Sequence, residues 1–196
     1  MRFEINPPYL SVTEKPYCCV PAVLQMILMR RGLKYQFQEE IGYQLGLIVP
    51  YEYRHHFTRV RTGSEPKAGY GTQTYKAAFS IPNYFRNNNL PLKLTKRQPA
   101  RIQEFREYLS NALSRGDDVV ICYNRQLLFG EGDREHVSLI QSFDNEADNV
   151  SIIDPAIGGP KHRKLNLEKL SNVLISKRAG EQKGLWIISS EGVENA

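Results

Sequence analysis

The sequence predicts an α+β domain, in which a helical N-terminal half packs on a C-terminal antiparallel sheet. In the first half, apolar residues recur every three or four positions, which is the spacing of amphipathic helices. From Asp118 onward, short apolar runs separated by turn residues replace that spacing. Helices followed by strands are typical of α+β architecture. Because 196 residues suit one domain and no linker or repeat interrupts them, we expect a single domain over residues 1–196.

Four helices are predicted in the first half. The first follows the adjacent cysteines Cys18 and Cys19 and ends near Gly32, and Pro21 fits its first turn because proline is tolerated there. The others cover residues 38–47, 74–86 and 101–114, which are stopped by Pro50, by three asparagines at 87–89 and by Gly116.

The segment between the second and third helices, residues 51–71, is predicted to be a long loop. It holds two histidines, one proline and three glycines. Long loops inside compact domains tend to be functional, so we expect this one to help form a substrate cleft. Residues 90–94 then alternate like a strand, and Pro91 argues for a position at the edge of the sheet.

The second half contains the remaining predicted strands. Residues 118–123 form an apolar run that indicates a strand buried on both faces. Further strands are predicted at 137–140, 150–153 and 185–188, with a short helix at 167–175. We expect these strands to form an antiparallel meander.

The composition is typical of a soluble globular protein, with 41% hydrophobic and 24% charged residues. No apolar run is long enough to cross a bilayer and no secretory signal is recognisable, so we expect no membrane partner and a cytoplasmic location. Three cysteines cannot all pair, and adjacent cysteines bridge poorly. Free thiols in a reducing compartment are therefore expected.

The net charge of +5 comes from short basic patches at residues 54–61, 96–101 and 161–164. Such patches are more often solvated loops than nucleic-acid sites, and no nucleic-acid motif accompanies them. We therefore expect neither a nucleic-acid partner nor a cofactor, and the sequence leaves the oligomeric state open.

The cysteine pair is the most informative feature of the chain, because it lies at the start of the first helix. Free backbone N–H groups and the positive end of the helix dipole stabilise a thiolate there. This placement suggests an activated nucleophile, although a small buried thiol at a helix start is the more common case. Cys122 lies in the apolar strand 118–123 and is expected to pack in the core.

A base and its orienting group are found in the second half. A nucleophilic thiol needs a base, and the base needs a third group that fixes its tautomer. His136 precedes the strand 137–140, and Asp154 follows the strand 150–153. When two such strands pair in an antiparallel hairpin, the start of one lies beside the end of the other. His136 and Asp154 are therefore predicted to be neighbours at one sheet edge.

These segments resemble the C39-like branch of the papain-like cysteine peptidases. Residues 19–24, Cys-Val-Pro-Ala-Val-Leu, resemble the nucleophile segment of that family, and residues 136–140 and 150–155 resemble its histidine strand and its strand ending in Asp-Pro. The resemblance implies a stand-alone papain-like domain with Cys19, His136 and Asp154 as the catalytic triad. It implies a cysteine peptidase or amide hydrolase acting on a peptide or protein substrate.

The resemblance is incomplete at the oxyanion-stabilising glutamine, which the family places about six residues before the nucleophile. That position is Thr13, followed by Glu14. Thr13 and Gln73 are the candidates for a replacement donor, and loss of one such donor costs a factor of about 100 to 1,000 in rate. The family pattern also has Asp and Gly where this chain has Cys18 and Val20.

Three alternatives remain open at this point. The missing glutamine is consistent with a catalytically impaired papain-like fold that binds a peptide or protein. An amine acceptor in place of water would make the protein a cysteine acyltransferase. Zinc binding by Cys18, Cys19, His55 and His56 is not expected, because adjacent residues point apart and zinc ligands are usually two to four residues apart.

Overall fold

The structure, a computed structural model, describes residues 1–132, 135–175 and 183–192. In this part of the chain the strands are β1 (Arg2–Glu4), β2 (Ile48–Val49), β3 (Arg61–Thr62), β4 (Leu92–Arg97), β5 (Asp118–Asn124), β6 (Glu135–Asp144), β7 (Asn149–Ile153), β8 (His162–Asn166) and β9 (Gly184–Ser190). The helices are α1 (Cys19–Arg30), α2 (Gln38–Gln44), α3 (Ile81–Asn87), α4 (Ile102–Ser114), α5 (Arg125–Phe129) and α6 (Leu167–Ile175).

The main sheet has seven antiparallel strands, in the order β4-β9-β5-β6-β7-β8, with β1 paired to the far end of β6. Strands β5, β6 and β7 form the predicted meander, and β8, which was not predicted, extends it. The expectation of a simple meander is wrong for β9, which returns between β4 and β5. The run of buried residues at the start of β9 explains this position, because a strand buried on both faces needs partners on both edges.

Helix α1 is buried along most of its length, from Val20 to Leu28. It contacts both β6 and α2. Because the helix is apolar around most of its surface, it needs cover on more than one side. Helix α4 instead buries one stripe, formed by Phe105, Leu109, Ala112 and Leu113. The structure thus confirms the α+β class, with the helical half packed on the antiparallel sheet.

The helix predicted at residues 74–86 is shorter than expected. A 3₁₀ turn covers Ala77–Phe79, and α3 begins only at Ile81. The Ser80 hydroxyl accepts a hydrogen bond from the Asn83 N–H at 3.4 Å, and Pro82 lies in the first turn. Serine at the N-cap followed by proline in the first turn specifies a helix start, which explains the difference.

The predicted loop at residues 51–71 also contains local structure. Residues Tyr51–His56 form a 3₁₀ helix, and β3 pairs with β2 in a two-residue parallel ladder. The Glu39 carboxylate accepts hydrogen bonds from the backbone N–H groups of Thr58 and Arg59, both at 2.6 Å. Contacts with α2 therefore hold the loop in place. The local sequence does not indicate these contacts.

Strand β8 is the clearest element that the sequence analysis missed. Its residues 162–164 belong to the basic patch that was expected to be a solvated loop, but they pair with β7. Leu165 is the buried residue of β8, an edge strand whose His162 and Lys164 are exposed, whereas the Arg163 side chain is only 11% exposed. No helix in the described ranges is long and apolar enough to span a membrane.

Candidate active site

The nucleophile turn, residues 15–18, leads directly into α1. The Cys18 N–H donates to the Lys15 carbonyl at 2.9 Å, and Pro16 and Tyr17 occupy the two central positions. Tyr17 has a φ of 63°, the left-handed conformation that turns of this kind require at their third residue. Cys18 makes no side-chain cap, so the N-terminal N–H groups of α1 are not satisfied by a capping side chain.

The three cysteines are all free, but they occupy different environments. Cys18 is fully buried against Leu47 and Val49, and burial raises the pKa of its thiol well above the ordinary value. Burial also raises the pKa of Cys122 in β5 well above the ordinary value. Cys19 is only half-buried and is the first residue of α1. Of the two adjacent cysteines, Cys19 therefore has the environment of a nucleophile.

His136 lies near the start of β6 and is 6% exposed. Its Nε2 atom is 2.7 Å from Oδ1 of Asp154, which immediately follows β7. Tyr123 is its partner residue on β5, and the Tyr123 ring stands edge-on to the imidazole at 5.8 Å. The adjacent antiparallel strands thus place the base and the carboxylate together, as the hairpin argument predicts.

The Cys19 thiol completes this arrangement. Its sulfur lies within 4.8 Å of a ring nitrogen of His136 and of a carboxylate oxygen of Glu14. Because Nε2 is engaged by Asp154, Nδ1 is the ring nitrogen left for the thiol. The histidine is therefore held between a thiol and a carboxylate, as in a nucleophile–base–orienter arrangement.

The protonation of His136 is set by its partners. Burial alone would lower the pKa of the imidazole, but the hydrogen bonds to Asp154 and Cys19 outweigh burial and raise it to about 10. A raised pKa favours the imidazolium, whose Nε2–H donates to Asp154. Burial raises the pKa of Asp154, but the hydrogen bond and charge of His136, together with the Ala156 N–H and Arg125, outweigh burial and hold the pKa below the ordinary value.

Asp154 has further contacts that fix its position. Its Oδ1 also accepts from the Ala156 N–H at 3.0 Å, and its Oδ2 faces Arg163 Nε at 3.3 Å. Arg163 in turn pairs with Glu131, which also pairs with Arg125. These contacts hold the carboxylate in one orientation from the side opposite the histidine.

The two candidate oxyanion donors, Thr13 and Gln73, make their contacts away from Cys19, His136 and Asp154. Thr13 is exposed, and its carbonyl accepts from the Gln38 side chain at 2.9 Å. The Gln73 amide donates to the carbonyls of Gly69 and Gly71 and accepts from the Tyr75 hydroxyl, so its polar atoms are engaged within its own loop.

Glu14 is the site residue that the sequence analysis passed over. Its position five residues before Cys19, next to the place where a glutamine is expected, was the available signal. Glu14, Cys19 and His136 are also residue types that bind zinc. However, the ring nitrogens of His136 already face the thiol and Asp154, which is the arrangement of a nucleophile with its base.

Comparison with known proteins addresses the fold. No protein-family model and no curated protein matches this sequence. Among solved structures, the chain is similar to xylellain, a cysteine protease from Xylella fastidiosa. The superposition has a TM-score of 0.52 and 12% sequence identity, and covers 96% of this chain and 85% of that one. The fold is papain-like. At this identity the papain-like likeness concerns the backbone architecture, and the chemistry must be argued from the site itself.

Proposed function

We propose that this papain-like domain is a cysteine peptidase or amide hydrolase that uses Cys19 as nucleophile, His136 as acid and base, and Asp154 as the orienting group. The position of the His136 ring between the Cys19 thiol and the Asp154 carboxylate carries the proposal. A histidine that only capped a strand would not need partners on both sides of a buried imidazole.

The chemistry proceeds in two stages. The Cys19 thiolate attacks the carbonyl carbon of the substrate, so that a sulfur–carbon bond forms and the carbonyl electron pair moves to oxygen. The imidazolium of His136 then gives its proton to the departing amine as the carbon–nitrogen bond breaks. Water, deprotonated by His136, releases the acyl group from Cys19. An amine acceptor at this last stage would give acyl transfer instead, which the triad serves equally well.

A substrate cleft beside the nucleophile turn is the second part of the proposal. The 51–71 loop approaches this turn, because the Tyr17 ring makes edge contacts with Tyr53 at 5.5 Å and Tyr70 at 5.6 Å. The Lys15 ammonium group donates to the His56 carbonyl at 3.0 Å. An aromatic wall next to the nucleophile suits the side chain of a peptide or protein substrate.

The family branch remains part of the proposal. The Cys-Val-Pro-Ala start of α1 and the Asp154-Pro155 strand end support a C39-like papain-like peptidase. The three free thiols fit a reducing compartment such as the cytoplasm.

The deciding experiment is the pH dependence of iodoacetamide alkylation, with the modified cysteine located by peptide mass mapping. We expect rapid labelling of Cys19 near pH 6, because the imidazolium of His136 stabilises the thiolate. The His136→Ala variant should lose this labelling. The matched control is His162→Ala, which removes an exposed histidine from β8 and should label like the wild type.

A different pH profile would refute the proposal. Labelling that rises only near the free-thiol pKa of about 8.5, and is unchanged in His136→Ala, would mean that no thiolate–imidazolium pair exists. A binding module on a papain-like frame would then be the better interpretation.

A further inference from the structure

Glu14 is an ionisable side chain of the site that the triad chemistry does not use. Its carboxyl oxygen lies within 4.8 Å of both the Cys19 sulfur and a His136 ring nitrogen. Within the described part of the chain its carboxyl group forms no hydrogen bond and no ion pair. The side chain is half-buried beside the Cys19 thiol, so a substrate that reached the thiol would also meet this carboxyl group.

The backbone around Glu14 is held from two sides. The Glu14 N–H donates to the Pro155 carbonyl at 2.8 Å, which ties it to the residue after Asp154. On the other side, the Gln38 amide accepts from the Lys15 N–H at 2.7 Å and donates to the Thr13 carbonyl at 2.9 Å. The segment before the nucleophile turn is therefore fixed, and the position of the Glu14 side chain in the site is imposed by the fold.

We propose that Glu14 is a further catalytic residue, which in its carboxylic-acid form donates a hydrogen bond to the oxyanion that forms when Cys19 attacks the substrate carbonyl. This proposal rests on the proposed hydrolase function and adds a donor to it. The Cys19 backbone N–H, at the start of α1, is the second donor.

The distances suit this role. A substrate carbonyl in position for attack lies about 3–3.5 Å from the sulfur. Its oxygen is then within reach of a group that lies within 4.8 Å of the same sulfur. An O–H donor bonding to a developing oxyanion forms a short, charge-assisted hydrogen bond, roughly twice as strong as a neutral one.

The charges around Glu14 decide whether it keeps its proton. Burial raises the pKa of the Glu14 carboxyl, and the Asp154 carboxylate raises it further. His136, Arg125 and Lys161 lower it, but the net result is a pKa above the ordinary glutamate value. The Cys19 thiolate is one more negative neighbour once it forms.

The ionised form would oppose catalysis. A carboxylate beside the thiolate would repel the oxyanion and could not donate to it. The hydrogen-bonding role thus belongs to the acid form alone, and oxyanion stabilisation should decline as pH rises through the Glu14 pKa. Glutamine at this position would donate at every pH, since its amide does not titrate.

Two reactions of Cys19 separate this role from the triad. Iodoacetamide reacts by displacement of iodide at a saturated carbon, so no oxyanion forms and the rate reports the thiolate alone. p-Nitrophenyl acetate acylates the thiolate through a tetrahedral oxyanion, and the burst of p-nitrophenolate measures that step. The ratio of the acylation rate to the alkylation rate therefore reports oxyanion stabilisation, with Cys19→Ala as the blank.

For Glu14→Ala we expect this ratio to fall about 100- to 1,000-fold at pH 5, with the alkylation rate within about threefold of wild type. For Glu14→Gln we expect a ratio near the wild-type value at pH 5 and no decline up to pH 8. The wild-type ratio should decline at least about tenfold over that range, as the hydrogen-bond donor is lost. Glu52→Gln, which changes an exposed glutamate in the 51–71 loop, should follow the wild type.

The outcomes distinguish the two proposals. A wild-type ratio in Glu14→Ala, or a pH-independent ratio in the wild type, would overturn the role of Glu14 while normal alkylation leaves the triad in place. Faster alkylation in Glu14→Ala with an unchanged ratio would mean that Glu14 competes with the thiolate for His136, which also overturns it. Absence of selective Cys19 alkylation in the wild type would overturn the hydrolase and the donor role together.

Discussion

Each end of α1 is linked to a fully buried aspartate, Asp118 directly through Arg30 and Arg31 and Asp154 only by way of His136. At the C-terminal end, Asp118 Oδ1 accepts from Arg30 Nε at 2.6 Å and from the Tyr9 hydroxyl at 2.8 Å. Its Oδ2 accepts from Arg31 Nε at 2.5 Å. Basic side chains at a helix C-terminus also suit the helix dipole. Both oxygens of the Asp118 carboxylate therefore accept hydrogen bonds, and both guanidinium groups lie against its negative charge.

At the N-terminal end, the pairing is incomplete. Asp154 Oδ1 is hydrogen-bonded, but Oδ2 faces Arg163 without forming a hydrogen bond. The two His136 nitrogens face Asp154 and a half-buried thiol, and no hydrogen bond of the Glu14 carboxyl group is found among the described residues. The saturated Asp118 carboxylate therefore attaches α1 to the sheet, whereas the groups at the other end keep hydrogen-bonding capacity, which the proposed hydrolase function would use for a substrate.

Among the variants that test this difference between the two ends of α1, Asp118→Asn is expected to have the largest effect. The change leaves two largely buried guanidinium groups with an uncharged partner, and breaking a buried ion pair costs about 3–5 kcal/mol. The free energy of unfolding, measured in urea, should fall by that amount, while the alkylation rate of Cys19 in the folded protein stays within about twofold.

The neighbouring variant Asp117→Asn is the control for that prediction. Asp117 pairs with Arg115, whose side chain is 45% exposed, so the loss should not exceed about 1 kcal/mol. Equal losses in the two variants would contradict the structural role given to Asp118.

The next largest effect is expected from Asp154→Asn, the matching change at the other end of α1. The amide oxygen can still accept from His136 Nε2–H, but the negative charge that raises the pKa of His136 is lost. A less basic His136 takes the Cys19 proton less readily, so less thiolate should be present at a pH below the ordinary thiol pKa. At pH 6.5 we expect Cys19 alkylation to slow by about 10- to 100-fold, since each pKa unit is worth about 1.4 kcal/mol.

If Asp154→Asn lost stability without a change in the pH profile of Cys19 alkylation, the difference between the two ends of α1 would be contradicted. It would mean that Asp154 serves the fold as Asp118 does and does not tune His136.

The smallest effect concerns the strained turn at the reactive end. At an ordinary helix or strand position, alanine is more stabilising than glycine by roughly 0.5–1 kcal/mol. Tyr17 has a positive φ, which costs a residue with a Cβ about 1–2 kcal/mol, so the order should reverse. We expect Tyr17→Gly to be more stable than Tyr17→Ala by about 1 kcal/mol in thermal unfolding, with both below the wild type because the contacts with Tyr53 and Tyr70 are lost.

If Tyr17→Ala were instead more stable than Tyr17→Gly, the turn would not keep a positive φ at this position in solution. The nucleophile would then not be held in a strained segment.

Much of the fold follows from local patterns. The apolar stripe of α4 and the apolar run of β5 identify those elements within one or two residues, because period and composition are local properties. The charged strand β8 has no such pattern, and it exists because β7 offers an edge to pair with. The place of β9 between β4 and β5 likewise depends on contacts between distant segments.

The site divides in the same way. Local signals at a helix start, a strand start and a strand end identify the cysteine pair, His136 and Asp154 as candidates, and the family resemblance selects Cys19 from the pair. Only the tertiary structure decided that Cys18 turns into the core while Cys19 meets His136, and that Glu14 joins them. The reason is that the Glu14 N–H donates to the Pro155 carbonyl and that the Gln38 side chain holds the flanking residues Thr13 and Lys15, and both partners are remote in sequence. Chemistry is carried by residue types, but proximity between remote segments is a property of the folded chain.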